Sequence, residues 1–198
     1  MFANRFTALV DACVLAGALK RNLILSLAEA EFFRVRWSAR IMDETEAAIM
    51  DIRQRQGHHG SAKADAHRSR TSMENAFRES CITDFENLIA IPDLPDPNDL
   101  HVIAAAVKTR AAVIVTDNIA DFPDSILARY NLFARSADDF IADAVDLDLP
   151  RALAALEAMR RRFQKPELTR EALLLRMEAV GLTETADLLR PHLLTNSR

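Results

Sequence analysis

The sequence predicts an α/β fold around a central parallel sheet, and three observations carry that prediction. Strand-like runs (FTALV, FFRVRW, AAVIV and YNLFA) alternate along the chain with segments of helical, amphipathic spacing. The run Ala111–Val115 is apolar without interruption, the pattern of a strand buried on both faces of a parallel sheet. Polar residues gather directly after two of these runs, Asp11 after FTALV and Thr116-Asp117-Asn118 after AAVIV. The carboxyl edge of the strands is where open α/β sheets bind ligands.

Composition narrows the function classes. A chain of 198 residues, 49% apolar and 27% charged, has the make-up of an ordinary globular protein with a full core. Its four glycines argue against an all-β fold with many tight turns, and no GxGxxG or GxxxxGK[ST] phosphate loop is present. The longest apolar runs, Val14–Leu19 and Leu23–Ala28, are far too short to span a bilayer. Asp11 interrupts the signal-like start, so the expected location is cytoplasmic, where Cys13 and Cys81 are reduced core thiols. Net charge is −4, divided into −7 over residues 1–149 and +3 over 150–198. An acidic body is unlike a general nucleic-acid binder, and a metal site built from carboxylates accounts for part of the excess.

Phe6–Val10 reads as the first strand, and Ala12-Cys13-Val14-Leu15 turns from it into a helix. Asp11 at this junction fits both a helix cap and a residue pointing into the ligand crevice. Asn22–Glu31 reads as a second helix. Phe32–Trp37 alternates apolar and basic residues, as a strand at a mixed or edge position does. Ser38 caps a long helix running to about Gln56, with Ile41, Thr45, Ala48, Ile49 and Ile52 as its inner stripe. Glu44 lies at the edge of that stripe, either as a flank residue reaching solvent or as a site residue. His58, His59 and His67 have no Cys or acid at zinc-ligating spacing and read as solvated loop and helix residues. Residues 62–79 form a helix carrying Arg68, Arg70 and Arg78, and Cys81–Ile91 holds a short element before a Pro-rich turn at 92–97.

Asp96-Pro97-Asn98-Asp99 then opens a helix. Asp96 suits the N-cap, Pro97 the first helical position and Asp99 the N3 position, where a carboxylate favours the helix dipole. Taken alone, Asp96-x-x-Asp99 is a variant of the capping box, and Thr116-Asp117-Asn118 fits a turn cluster as well as a site. Asp124–Arg129 is a helical turn, Tyr130–Ala134 a final strand, and Ser136 starts a further helix. Pro150 marks a boundary between residues 1–149 and an appendage of 150–198, where helices fit 151–163, 167–180 and 183–190.

In a doubly wound sheet Asp11, Asp99 and the segment from Thr116 to Asp121 all fall at the carboxyl edge. Carboxylates gathered there repel one another and raise one another's pKa unless a cation sits among them. Oxygen donors without Cys or His select hard ions, Mg²⁺ or Mn²⁺, and such a site suits phosphodiester hydrolysis.

The segments LVDACVL, IMDE on a helix, DPNDLHVIAAAV and VTDNIADFP, in that order, resemble a PIN domain. Within that superfamily they are most similar to the VapC-type ribonuclease toxins of bacterial toxin–antitoxin pairs, over about residues 5–145. The resemblance implies a three-layer α/β/α fold with a central parallel sheet, residues 1–149 forming the PIN-like nuclease domain and 150–198 a small C-terminal helical extension. It implies a metal-dependent ribonuclease that hydrolyses RNA phosphodiester bonds through an acidic Mg²⁺ or Mn²⁺ site. Carried over, Asp11 and Asp99 are the principal metal ligands, Glu44 is a further ligand, direct or through water, and Thr116 holds water or a scissile phosphate. Where the motif most often has an aspartate, this chain has Asn118. Asp121, one helical turn on, is expected to supply the missing charge, with Asn118 as a neutral oxygen ligand or an outer partner. An RNA substrate, a cognate antitoxin protein that inserts a segment into the acidic cleft, and a homodimer are likewise implied.

Two other classes compete. A PIN-like module that only binds RNA or protein fits the loss of the acid at Asn118. Three acids kept at buried or half-buried positions without a metal would be costly, which argues against it. A Mg²⁺-dependent phosphatase of the haloacid-dehalogenase type needs Asp-x-Asp after the first strand, where this chain has Asp11-Ala12-Cys13.

Overall fold

The computed structural model of the chain describes residues 6–85, 88, 94–163 and 167–195. In chain order the elements are β1 (Thr7–Val10), α1 (Ala12–Ala16), α2 (Ala18–Glu29), β2 (Arg34–Ser38), α3 (Ala39–Arg55), α4 (Ala62–Ala76) and β3 (Cys81–Ile82). There follow α5 (Leu100–Thr109), β4 (Val113–Val115), α6 (Asp124–Leu127), β5 (Phe133–Arg135), α7 (Ala137–Leu147), α8 (Leu149–Arg161), α9 (Arg170–Ala179) and α10 (Thr183–Thr195). Short 3-10 turns cover Pro97–Asp99, Ile119–Asp121 and Ala128–Tyr130. No helix among the described residues is long and apolar enough to cross a membrane.

The chain divides into two compact units, Met1–Gly17 with Arg34–Arg135, and Ala18–Phe33 with Ser136–Arg198. The first unit holds a five-stranded sheet, among the described residues, in the order β3-β2-β1-β4-β5. Every pairing in it is parallel, as the sequence predicts. β1 and β4 are central and almost wholly apolar. Leu9, Val10, Ile114 and Val115 are fully buried, in keeping with strands covered on both faces. Their register places Val10 opposite Val115.

β2 departs from the expected edge or mixed position: it lies between β1 and β3. The reason lies in the length of β3, which pairs only with Trp37 and Ser38. The basic half of β2 therefore lies beyond the end of β3. There Arg34 is exposed and Arg36 donates to the Glu79 carbonyl (2.6 Å). Of the expected element over Cys81–Ile91, the two residues of β3 are a strand, while 86, 87 and 89–91 lie outside the described residues, as do 92 and 93.

α3 is capped by the Ser38 hydroxyl, which accepts from the Ile41 N–H (3.1 Å). It buries Ile41, Met42, Thr45 and Ile49, and it packs against α1 and α4. Arg53 and Asp65 pair across the α3–α4 contact (2.8 Å), and Trp37 meets Phe77 edge-on at 6.0 Å. α5 rests on β1, β2 and β4 and buries every residue from His101 to Ala106. In a chain poor in glycine, α5 ends on Arg110 in the left-handed region (φ 51°), whose N–H satisfies the carbonyls of Ala106 and Val107.

The second unit is helical. α2 packs with α7 and α8, and α10 with α7 and α9. The Arg151 guanidinium lies 4.1 Å from the centre of the Phe32 ring, Arg162 pairs with Glu29 (2.7 Å), and Phe33 meets Phe140 edge-on at 4.8 Å. Glu157 is held by Arg160 and Arg170, which draw its carboxyl down to about 2 against the opposing effect of burial.

Asp138, in the first turn of α7, also caps α10. It accepts from the backbone N–H of Glu184 (2.8 Å) and Thr185 (2.9 Å) and from the Thr185 hydroxyl (2.7 Å). Burial pushes its carboxyl up, but these bonds outweigh burial and hold it below the usual carboxylate range. Asp138→Ala is expected to lower the urea midpoint, with a loss of about 1–2 kcal/mol. A group with a depressed folded pKa stabilises above its unfolded value and loses that contribution as pH falls. The difference between variant and wild type should therefore shrink in acid, and equal midpoints at neutral pH would show that the cap contributes nothing.

Candidate functional site

The β1–β4 register sets the site. Because Val10 lies opposite Val115, the next residues on each strand, Asp11 and Thr116, emerge side by side at the carboxyl edge. The Asp11 N–H continues the ladder to the Val115 carbonyl (3.0 Å). The Thr116 hydroxyl donates to Asp11 Oδ2 at 2.8 Å, and Asp11 Oδ1 accepts from the Ala12 N–H at 2.7 Å. Asp11 thus caps α1 and faces the site at once, with 6% of its surface exposed.

Cys13 joins this cluster. Its thiol donates to Asp11 Oδ2 (3.2 Å), lies 3.4 Å from Thr116 Oγ1 and accepts from the Asp117 N–H (3.3 Å). Burial, with the Asp11 charge beside it, pushes the thiol up to about 12, so it stays protonated. Asn118 is exposed and contributes its backbone N–H to Thr116 Oγ1 (3.1 Å).

Asp96 and Asp99 separate cleanly. Asp96 caps the turn, accepting from the Asn98 N–H at 2.8 Å. Asp99, at the N-terminus of α5, makes no side-chain cap hydrogen bond. Its half-buried carboxyl is pushed up to about 6, by burial first and then by the negative charges of Asp11, Asp96, Asp121 and Glu44. Those four acids are therefore near enough for Asp99 to feel each charge.

Glu44, in the second turn of α3, accepts from Arg40 Nε on Oε1 (3.1 Å), and His101 Nε2 lies 3.2 Å from the same oxygen. Burial raises its carboxyl, the Arg40 hydrogen bond and charge lower it, and the Asp11 and Asp43 charges raise it again, leaving it above the ordinary value. Arg40 also donates to the Asn98 carbonyl (3.3 Å), tying α3 to the turn before α5. His101 is 7% exposed, and burial pushes its imidazole down to about 4. Nε2 faces the Glu44 carboxylate, and Nδ1 is buried without a partner among the described residues.

The geometry thus draws Asp11 and Thr116 into direct contact and brings Asp99, Glu44 and Asp121 within electrostatic range. Asn118 meets the cluster through its backbone. The site neighbours that the sequence reading missed are Cys13, Arg40 and His101. Arg40 carried one signal, its i,i+4 spacing to Glu44. His101 carried another, a ring nitrogen on the apolar face of a helix two residues after Asp99. Among the described residues no group of three His, Cys, Asp or Glu side chains converges tightly enough to hold a metal ion as it stands. By chemistry the donor set suits a hard divalent cation: carboxylate oxygens whose repulsion is already visible at Asp99.

A family model described as a PIN domain matches residues 7–120, which carry every residue of this cluster except Asp121. The chain belongs to the PIN domain family. A second model, the VapC50 C-terminal domain, matches residues 137–191. Over 104 residues the PIN chain is 36% identical to a Mycobacterium tuberculosis (strain ATCC 25618 / H37Rv) protein named "Putative ribonuclease VapC50". That match covers 52% of this chain and 61% of the relative, so it spans less than two thirds of the relative's length. No solved structure matches the chain.

The raised pKa of Asp99 gives the PIN site a pH signature without metal. The folded value, about 6, lies above the unfolded one, so the native state binds more protons between them and loses stability as pH rises through 6. Removing the charge should relieve this. Asp99→Asn is expected to raise the thermal midpoint of the metal-free protein near neutral pH, for a stability gain of no more than about 1 kcal/mol given solvent screening of a half-buried group. Near pH 4, where the wild-type carboxyl is already neutral, the two proteins should melt together. A variant less stable at both pH values would mark Asp99 as a structural residue.

Proposed function

We propose that this PIN-family chain is a metal-dependent ribonuclease, the toxin of a type II toxin–antitoxin pair, acting in the cytoplasm on RNA phosphodiester bonds at the Asp11–Asp99 cluster. The observation that carries the reading is Asp99 itself: a half-buried acid, unused as a cap and crowded by four other carboxylates. Such repulsion is tolerated in a folded protein where a cation offsets it. The relative whose name contains "ribonuclease" and the match to the PIN domain support the same reading.

In this reading Asp11 and Asp99 hold Mg²⁺ or Mn²⁺, with Glu44 and Asp121 as further ligands, direct or through water. When bound, the ion neutralises charge on the phosphate and acidifies a water molecule. The chain's own groups do the remaining work. The Ala12 N–H and Thr116 hydroxyl fix both oxygens of Asp11. Because the Thr116 proton is committed to Asp11 Oδ2 and the Asn118 N–H also lands on its oxygen, the hydroxyl can offer only a remaining lone pair. It accepts from a water rather than donating to a phosphate. Asn118 acts by fixing Thr116 through its backbone. Asp99, unused as a cap, has its carboxylate available to the ion, whose charge would hold it ionised. Single-stranded or looped RNA is the substrate class, since unstacked segments can enter a small acidic cleft. A cognate antitoxin and a second copy of the chain, as a homodimer, complete the proposed partners.

The test is cleavage of total RNA by purified protein freed of any antitoxin, with Mg²⁺ or Mn²⁺ added or chelated. Asp11→Asn and Asp99→Asn are each expected to lower the rate at least about 100-fold, the upper end of what loss of an outer partner of a metal costs. Wild-type cleavage that survives chelation would reject the metal-dependent mechanism. If wild type and variants are equally silent, and calorimetry detects no metal binding, the chain is a non-catalytic binding module.

A further inference from the structure

We infer that His101 is a positioning residue, which holds the Glu44 carboxylate by one oxygen and so keeps the other available to the divalent ion. The inference rests on the metal-nuclease reading and extends it to a residue outside the acidic set.

Three features of the structure point the same way. His101 is buried on α5, as are Val102, Ile103 and Ala104 beside it in sequence, and its ring Nε2 lies 3.2 Å from Glu44 Oε1. Arg40 Nε donates to Glu44 Oε1 at 3.1 Å and His101 Nε2 lies against the same oxygen at 3.2 Å, while no hydrogen bond reaches Oε2 among the described residues. The ring nitrogen left over, Nδ1, is buried without a partner, an arrangement that costs about 1–3 kcal/mol. An aliphatic side chain in this place would leave no polar atom unmatched. Stability alone therefore disfavours histidine here, and its one specific contribution is the 3.2 Å contact with Glu44.

Arg40 cannot do the same work by itself. Its side chain is 51% exposed even with its second bond to the Asn98 carbonyl, and an exposed i,i+4 pair on a helix surface contributes only about 0.3–0.5 kcal/mol. The imidazole is short, has two side-chain torsions and is locked in the core. It joins α5, the helix that begins at Asp99, to α3, the helix that carries Glu44. Two acids on separate helices are thereby held at a fixed separation, as partners behind metal ligands commonly do.

The experiment is calorimetric titration of Mn²⁺ into the full-length wild type, His101→Leu, His101→Gln and His101→Asn, with urea unfolding of each protein free of metal. The glutamine amide reaches about as far as the ring Nε2, while the asparagine amide falls short. His101→Leu and His101→Asn are expected to weaken Mn²⁺ binding about 10-fold or more. His101→Gln should bind within about threefold of wild type, and metal-free His101→Leu should be at least as stable as wild type. Unchanged Mn²⁺ affinity in His101→Leu and His101→Asn overturns the inference while leaving the metal-nuclease reading intact. So does an affinity loss that His101→Gln fails to restore, accompanied by lower metal-free stability, because that is the pattern of a packing role. If His101→Leu fails to fold, the contrast between glutamine and asparagine decides alone. A wild type that binds no Mn²⁺ removes the metal-nuclease reading, and the inference with it.

Discussion

The site depends on one constraint, the parallel register of β1 against β4. Val10 opposite Val115 leaves Asp11 and Thr116 to leave the sheet together, and a hydrogen bond of 2.8 Å then joins their side chains. A slip of one residue would turn Asp11 and Thr116 to opposite faces and part them. The register is itself strongly specified, because β1 and β4 are apolar on both faces and have no solvent side to accept a polar residue. The polar cluster sits where it does because the strands run out of apolar residues at the same level. Cys13 and the backbone of Asp117 and Asn118 then bind the two post-strand loops to each other.

On this scaffold the acids are set in opposition to one another. Asp11 is buried but well supplied with donors, whereas Asp99 has charge around it and no side-chain cap bond. Glu44 stands between these cases, its charge offset by Arg40 and its orientation set by His101. A carboxylate with donors is a fixed ligand, and one without them prefers a proton or a cation. The cluster therefore holds a rigid member and a charge-poised member on different elements, which suits it to close around an ion more than to exist as a finished cage.

The sheet was legible in the sequence because its central strands are pure in type: an uninterrupted apolar run such as AAVIV has few alternative readings. The position of β2 was not, since alternation of Arg and apolar residues reports solvent at Arg34 and Arg36 but cannot report how far β3 extends. Sequence spacing put Asp96 at the N-cap and left Asp99 at N3 open to a capping-box role; the hydrogen bond from the Asn98 N–H bears out the first, and Asp99 makes no cap bond. The acids could be named from their places at strand and helix ends. His101 and Cys13 could not, because their roles come from contacts across 57 and 103 residues of chain, made with Glu44 and Thr116.

The helical unit raises the same point about distance in sequence. α2 lies close to the N-terminus, yet it groups with the helices after Ser136, through Phe32 under Arg151, Glu29 with Arg162, and Phe33 against Phe140. Leu23, Ile24 and Leu27 of α2 are fully buried. An element with that much apolar surface needs a partner face, and within its unit the partners are α7 and α8. The segment after Pro150 reads in sequence as an appendage because it is contiguous and differently charged. Physically it is the other half of a core that begins at Ala18, so its removal would uncover leucine, isoleucine and phenylalanine side chains belonging to the N-terminal third of the chain.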